Sequence, residues 1–201
     1  MWEDPYVLDA RRKATEREST GGRFTWDRIF GSAFELKVQS RELELDEERS
    51  GQALGLSDAE RDLLDREGDK MRVELGYLFE LGDGRNLVRP SLTYIDNDLD
   101  GDAMAQDGYQ VAVSWLHRND SFSWTNNLAY TTLEGDETNP IFGDVNDADT
   151  ITFASQVFFR NLFGLEHWQP NIAVLYGDHD SDIDFNDGAG WMIAAGIGRT
   201  F

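Results

Sequence analysis

The amino-acid sequence predicts an all-β fold, an antiparallel up-and-down transmembrane β-barrel of about ten strands, with residues 1–201 forming a single domain. Three observations predict it. Apolar and polar residues alternate through most of the chain, short and long connections alternate, and nearly all of the net charge of -21 sits in the long ones. A soluble β-sandwich shares the first feature and has no physical reason to show the other two.

Composition narrows the field first. A chain of 201 residues can bury a core without a disulfide or metal staple. With 39 Asp+Glu against 18 Lys+Arg, no basic face is available for nucleic acid. The absence of cysteine excludes thiol catalysis, a thiolate-held metal and a disulfide framework. An apolar content of 40% with 12% aromatics is too high for a solvating, disordered chain. Met1-Trp2-Glu3-Asp4 offers neither the basic nor the apolar region of a secretion signal. No run reaches the about 18 apolar residues of a spanning helix, whereas a barrel strand needs only about 9–11 alternating ones.

The elements follow in order. A first strand is expected around residues 6–17, then Phe24 and Trp26 mark a second. Phe34, Leu36 and Val38 oppose Glu35, Lys37 and Gln39 in a third. Ser57-Asp58-Ala59-Glu60 reads as a capping box, so a helix is expected over 57–67 inside a long connection. Met71, Val73, Leu75, Tyr77, Phe79 and Leu81 then share one face of a strand, with Arg72, Glu74, Gly76 and Glu80 on the other. The same alternation runs through Val88–Tyr94, Tyr109–Trp115, Phe122–Tyr130, Ile151–Phe159, Trp168–Tyr176 and Trp191–Phe201.

Short connections are expected near 31–32, 82–86, 118–120 and 161–167, and long ones over 46–69, 96–108, 132–149 and 177–188. Those four long segments hold 25 acidic residues against Arg49, Arg61 and Arg66. Tyr94, Tyr109, Tyr130, Tyr176 and Trp191 lie beside them, while Trp115, Phe122, Trp124, Phe159, Phe163, Trp168 and Phe201 lie toward the short turns. Two aromatic bands flanking an apolar zone are the girdles of a membrane barrel, whose long loops face outward from the cell.

The final segment, Gly190-Trp191-Met192-Ile193-Ala194-Ala195-Gly196-Ile197-Gly198-Arg199-Thr200-Phe201, resembles the C-terminal signal of bacterial outer-membrane proteins. That resemblance implies that Trp191, Ile193, Ile197 and Phe201 are read by the barrel-assembly machinery. Arg199 departs from the apolar parity, although a base at the interface can snorkel. Trp26-Asp27-Arg28-Ile29-Phe30-Gly31-Ser32, Phe34-Glu35-Leu36, Asn139-Pro140-Ile141-Phe142-Gly143 and Asp182-Ile183-Asp184-Phe185 resemble a proteobacterial outer-membrane family known only as a domain of unknown function. The resemblance covers most of the chain and implies a barrel in the bacterial outer membrane. It brings no catalytic residues. It also implies a signal peptide and further strands ahead of Met1.

Three groups of residues could carry function. Asp96, Asp98, Asp100, Gly101 and Asp107 have the spacing of a calcium loop, with Asp102 beside them; Asp at the last position and Ala103 depart from it. A solvated acidic hairpin is the plainer reading, and weak calcium binding the sharper one. Asp178-His179-Asp180 invites comparison with a protease dyad, yet no second Asp pair and no nucleophile elbow accompany it, so no enzyme is expected. The inward set is mixed: Arg23, Lys37, Arg41, Arg72, Arg89 and Arg160 are basic, and Asp27, Glu35, Glu74 and Glu80 acidic. They form either a structural polar filling or the electrostatic lining of a narrow aqueous path. The expected function is a porin-like channel for small solutes with an acidic, cation-attracting mouth. The alternative is a non-conducting surface barrel whose loops bind divalent cations, lipopolysaccharide or a partner.

Overall fold

Alternation with period two leaves each strand one apolar and one polar face, and the computed structural model pairs those strands in sequence order. It describes residues 17–29, 33–45, 54–82, 84–160, 164 and 167–199. The strands are β1 (Arg17–Asp27), β2 (Phe34–Leu45), β3 (Gly68–Tyr77), β4 (Phe79–Leu81), β5 (Asn86–Leu99), β6 (Gln106–Arg118), β7 (Phe122–Gly135), β8 (Ala148–Phe159), β9 (Trp168–Ser181) and β10 (Gly188–Arg199). All pair antiparallel in one ten-stranded sheet of order β1-β2-β3-β5-β6-β7-β8-β9-β10, with β4 paired to β5. The all-β, up-and-down architecture predicted from the sequence is therefore the observed one. β3 and β4 are two pieces of the single strand expected over 71–81. The break at Leu78 lies where pairing with β5 lapses beside Pro90, which has no N–H to give, while the Leu78 N–H still donates to the Ala33 carbonyl at 2.9 Å in the β2–β3 register. The strand expected around residues 6–17 lies outside the described residues except for Arg17, which opens β1.

The register fixes which residues share a face. Phe24, Val38, Val73, Tyr94 and Tyr109 are successive cross-strand partners and lie on one face, called outward here. On every strand that face leaves a large apolar side chain exposed, among them Phe24, Phe34, Leu75, Phe79, Leu92, Val111, Leu128, Ile151, Ile172 and Ile193. The same partner line begins at Phe24, three residues from the short-turn end of β1. It continues through Thr132, Asp149 and Asp180, twelve residues from the short-turn end of β9. A climb of about nine residues over about seven strand steps, at about 3.3 Å and about 4.8 Å each, corresponds to a tilt of about 40°. Closed barrels tilt their strands by about 35–45°.

The strands run further into the acidic end than the sequence implied. β5 extends to Leu99, β6 starts at Gln106, β9 extends to Ser181 and β10 starts at Gly188. The connections expected over 96–108 and 177–188 thus shrink to 100–105 and 182–187, within the range of lengths found at the other end. Only 46–67 and 136–147 remain long. Acidic residues alternating with Asn, Ser or Gly read as loop, yet backbone pairing continues through them, because the ladder bonds are indifferent to side-chain charge.

Most of the buried apolar residues also sit at that acidic end. Leu43, Leu64, Ile95, Leu99, Ala103, Ala105, Ala148 and Ile183 are buried, Leu64 completely. The helix expected over 57–67 is shorter, α1 (Asp58–Asp62), and carries the predicted capping box: Ser57 Oγ accepts from Glu60 N, and Glu60 accepts from Ser57 N at 2.8 Å. Its continuation is lost to tertiary docking. The carbonyl of Leu63 accepts from Ala103 N at 3.1 Å and that of Glu67 from Asp100 N at 3.0 Å. Gly101 permits this approach, since a Cβ there would sit 2.3 Å from Asp65 N.

Two outcomes follow from this packing. Leu64→Ala removes the side chain that fills the junction, at a cost of about 2–5 kcal/mol; limited proteolysis should then cut the α1 connection while far-ultraviolet circular dichroism keeps its strand signal. Hydrogen bonds from the Ser57 hydroxyl and backbone hold the Glu60 carboxyl below its ordinary value of 4.5. That contribution to the cap is present above 4.5 and is lost as pH falls through the lower folded value. Amide exchange around α1 should accelerate over that acid window in the native chain and not in Glu60→Gln.

Candidate lumenal ion-pair site

The inward face, opposite the apolar one, carries the polar chemistry. Lys37 on β2 and Glu74 on β3 are direct ladder partners, and Lys37 Nζ lies 3.1 Å from Glu74 Oε1. Glu35, two residues before Lys37 and on the same face, lies 3.3 Å from the same Nζ. Arg89, on β5, donates to both Glu35 and Glu74. Two bases and two acids from three strands form one neutral, half-buried network.

Gly76 makes the network possible. It faces Glu35 across the β2–β3 ladder, and a Cβ at Gly76 would lie 2.4 Å from Arg89 Nη2. The guanidinium therefore crosses β3 over a bare backbone to reach Glu35 one strand further on. Planar Arg with its forked donors suits this double engagement better than Lys would.

The other expected inward residues distribute around this centre. Asp27 is the ladder partner of Glu35, adding a carboxylate at the short-turn end. A cavity of about 600 Å³ opens there, lined by Asp27, Arg28, Glu35, Glu80 and Arg89 among others. Arg28 carries a positive φ of 54°, in the left-handed region beside that cavity. Arg72 donates to Gln110 Oε1 at 3.5 Å, and Arg160 donates to the Asn119 carbonyl at 3.2 Å. Arg23 and Arg41 are exposed on β1 and β2.

The later strands carry the neutral part of the face, where the sequence shows the residue types and the register shows which of them meet. Gln110, Thr131, Thr150 and His179 are successive cross-strand partners. Gln110 donates to Thr131 Oγ1 at 2.8 Å, and Thr150 Oγ1 lies 2.7 Å from His179 Nδ1. Strand alternation thus turns His179 inward and Asp178 and Asp180 outward, so the three do not form a dyad. On β10 the inward face is Gly188, Gly190, Met192, Ala194, Gly196 and Gly198. Charge concentrates on β2–β5 and small residues on β10.

The outward face ends in the two aromatic bands. The rings of Tyr94 and Tyr109 meet with centroids 5.4 Å apart, tilted by 51°, and Tyr176 is partnered with Trp191. Toward the short turns Trp115 and Trp124 lie 5.0 Å apart. Their indole N–H groups donate to Asn86 Oδ1 at 3.3 Å and Ser155 Oγ at 2.9 Å. Trp191, Ile193 and Ile197 of the C-terminal segment are exposed on β10, with Trp191 at 73%; Phe201 lies outside the described residues.

Asp96 and Asp98 stand on β5, where Asp96 faces Asp107 of β6, and Asp100 and Asp102 are exposed beyond the strand. Among the described residues, one group of three acidic side chains brings its carboxylate oxygens within 4.8 Å of one another, Asp65, Glu67 and Asp100. Of the five residues of the calcium-loop reading, it includes Asp100 alone.

A substitution at Gly76 tests the network. Gly76→Ala should destabilise the chain by about 1–3 kcal/mol through overpacking against Arg89. In an Arg89→Ala background the same substitution should cost much less, a coupling read from urea unfolding of the four proteins of a double-mutant cycle.

No curated protein and no solved structure matches the chain. One family model does match, over residues 1–199, and by that match the chain belongs to the family described as protein of unknown function DUF2860.

Proposed function

We propose that this chain is an outer-membrane porin-like channel for small solutes, with an acidic mouth that concentrates cations. The observation that carries the reading is the inversion of the two sheet faces. The apolar face is exposed on all strands, far beyond the apolar patches a soluble monomer leaves open. The polar and charged residues, Lys37, Glu74, Arg89, Gln110 and Thr131 among them, occupy the opposite face. Closed into a barrel at a tilt of about 40°, that face lines the interior. The ion-pair network would narrow the path from one side, while the glycines and alanines of β10 leave space on the other.

The test is single-channel recording in planar bilayers. Discrete openings with a reversal potential showing cation preference in a salt gradient are expected. Neutralising Asp96, Asp98, Asp107 and Glu134 together should reduce that preference. Folded protein that leaves the bilayer sealed would refute the channel.

A second reading is a non-conducting surface barrel whose wall takes divalent cations and so bridges lipopolysaccharide phosphates. One observation favours it. Glu42, Asp69 and Asp98 are successive cross-strand partners, as are Asp96, Asp107 and Glu134, and Asp149 pairs with Asp180. Like charges directly opposed across strands cost stability, and a divalent cation would offset that cost. Under this reading millimolar calcium raises the melting temperature in detergent, and Asp96→Asn with Asp107→Asn removes the effect; an unchanged melting curve would oppose it.

A further inference from the structure

Strand alternation sorts charge through the wall near the acidic end. Glu42, Asp69 and Asp98, successive cross-strand partners, lie outward. The residues beside them in sequence, Arg41, Lys70 and Asn97, are themselves successive partners on the inward face. One ladder line nearer the short turns, Arg23, Gln39, Arg72 and Ile95 follow one another across β1, β2, β3 and β5 on that same face. These two lines gather four bases, Arg23, Arg41, Lys70 and Arg72, and contain no acid. Ladder partners stand about 5 Å apart and alternate residues of one strand about 7 Å apart, so the four cations share a patch about 10 Å by about 7 Å.

The surroundings of the patch suit an anion. On its acidic-end side the next inward residues are Leu43 and Leu99, both buried, and Ile95 beside Arg72 is buried too. An apolar border keeps water back and strengthens the attraction between the bases and a negative charge. Toward the short turns lies the network of Lys37, Glu74, Glu35 and Arg89, whose two acids are engaged by its own two bases. Gly21, the ladder partner of Arg41, brings no side chain over the guanidinium. Arg23, Arg41 and Arg72 are exposed and Lys70 is half-buried. Arg41 and Lys70 are like charges directly opposed across strands, a cost that an anion between them would offset.

We propose that Arg23, Arg41, Lys70 and Arg72 form a binding site for the phosphoryl group of a small anionic solute. A phosphoryl group carries close to two charges and three acceptor oxygens, which several converging donors engage better than they engage one carboxylate. Arginine forks take such oxygens two at a time. The site goes beyond the channel reading and does not depend on it. The outward acids act on ions around the rim, within a Debye length of about 8 Å, whereas the patch acts by contact on the other face of the wall.

Calorimetric titration of the full chain, refolded in a zwitterionic detergent, with inorganic pyrophosphate tests the site. Saturable binding with a Kd below about 1 mM is expected, and malonate should bind more weakly. Arg41→Gln with Lys70→Gln should weaken pyrophosphate binding by at least about tenfold, and so should Arg23→Gln with Arg72→Gln. Two independent pairs keep the test intact when one variant fails to fold, which circular dichroism reports. Lys70→Arg should retain binding, because it keeps the charge. Arg118→Gln, which removes an exposed base at the short-turn end, should leave binding unchanged. Folded native protein that gives no binding heat would overturn the proposal. So would binding that survives both double substitutions, falls equally in Arg118→Gln, or is matched by malonate. Binding by a protein that leaves planar bilayers sealed would remove the channel and keep the site, and conduction without binding would do the reverse.

Discussion

Cross-strand register is the constraint on which the rest of this structure depends. Through the successive ladders, even-numbered residues of β1, β2, β5, β7 and β9 and odd-numbered residues of β3, β6, β8 and β10 fall on one common face. A slip by one residue on any strand would exchange its two faces. Because every ladder keeps this parity, one face gathers Phe24, Leu75, Val111, Leu128 and Ile193 while the other gathers Lys37, Glu74, Arg89 and Gln110. The stagger of those same ladders sets the tilt. A soluble sheet would bury the first face; here most of the buried apolar residues lie at the acidic end, where Leu64, Ala103 and Ile183 pack between connections.

The inward network shows how the register is turned into a specific contact. Lys37 meets Glu74 because the ladder places them opposite, and Arg89 reaches Glu35 because Gly76 leaves no side chain between them. Both acids are satisfied by both bases, so the group is electrically neutral and can be partly desolvated without stranding a charge. Removing one base leaves Glu35 and Glu74 sharing a single cation, a half-buried excess of negative charge. The network is thus internally balanced, and the excess negative charge of the chain lies elsewhere, in the carboxylates of the acidic end.

Much of this was legible in the sequence, for a stated reason. β5 to β10 show a sustained alternation of large apolar residues, interrupted on the apolar face at Asn126 and Ser155. The capping box at Ser57 and Glu60 was equally plain, but its helix stops at Asp62 because the carbonyls of Leu63 and Glu67 serve the 100–105 connection, a tertiary demand with no local signal. The strand extensions at Asp96–Leu99 and Asp178–Ser181 were hidden, since acidic alternation looks like loop. Glu35, Lys37, Glu74 and Arg89 were identifiable as inward residues from parity alone. Their meeting was not, because Arg89 crosses a strand, and the only clue was a glycine at position 76 inside an otherwise regular run. Gln110–Thr131 and Thr150–His179 needed the register before they could be paired.

The central claim is that the apolar face meets lipid and the polar face meets water. Spin labels placed one at a time at residues 109–115, by cysteine substitution in this cysteine-free chain, test it most directly after reconstitution into lipid vesicles. Dissolved oxygen collects in lipid and a nickel chelate stays in water. The account predicts oxygen maxima at positions 109, 111, 113 and 115 and chelate maxima at 110, 112 and 114, two curves out of phase with period two. Curves that rise and fall together, or outward positions open to the chelate throughout, would contradict it.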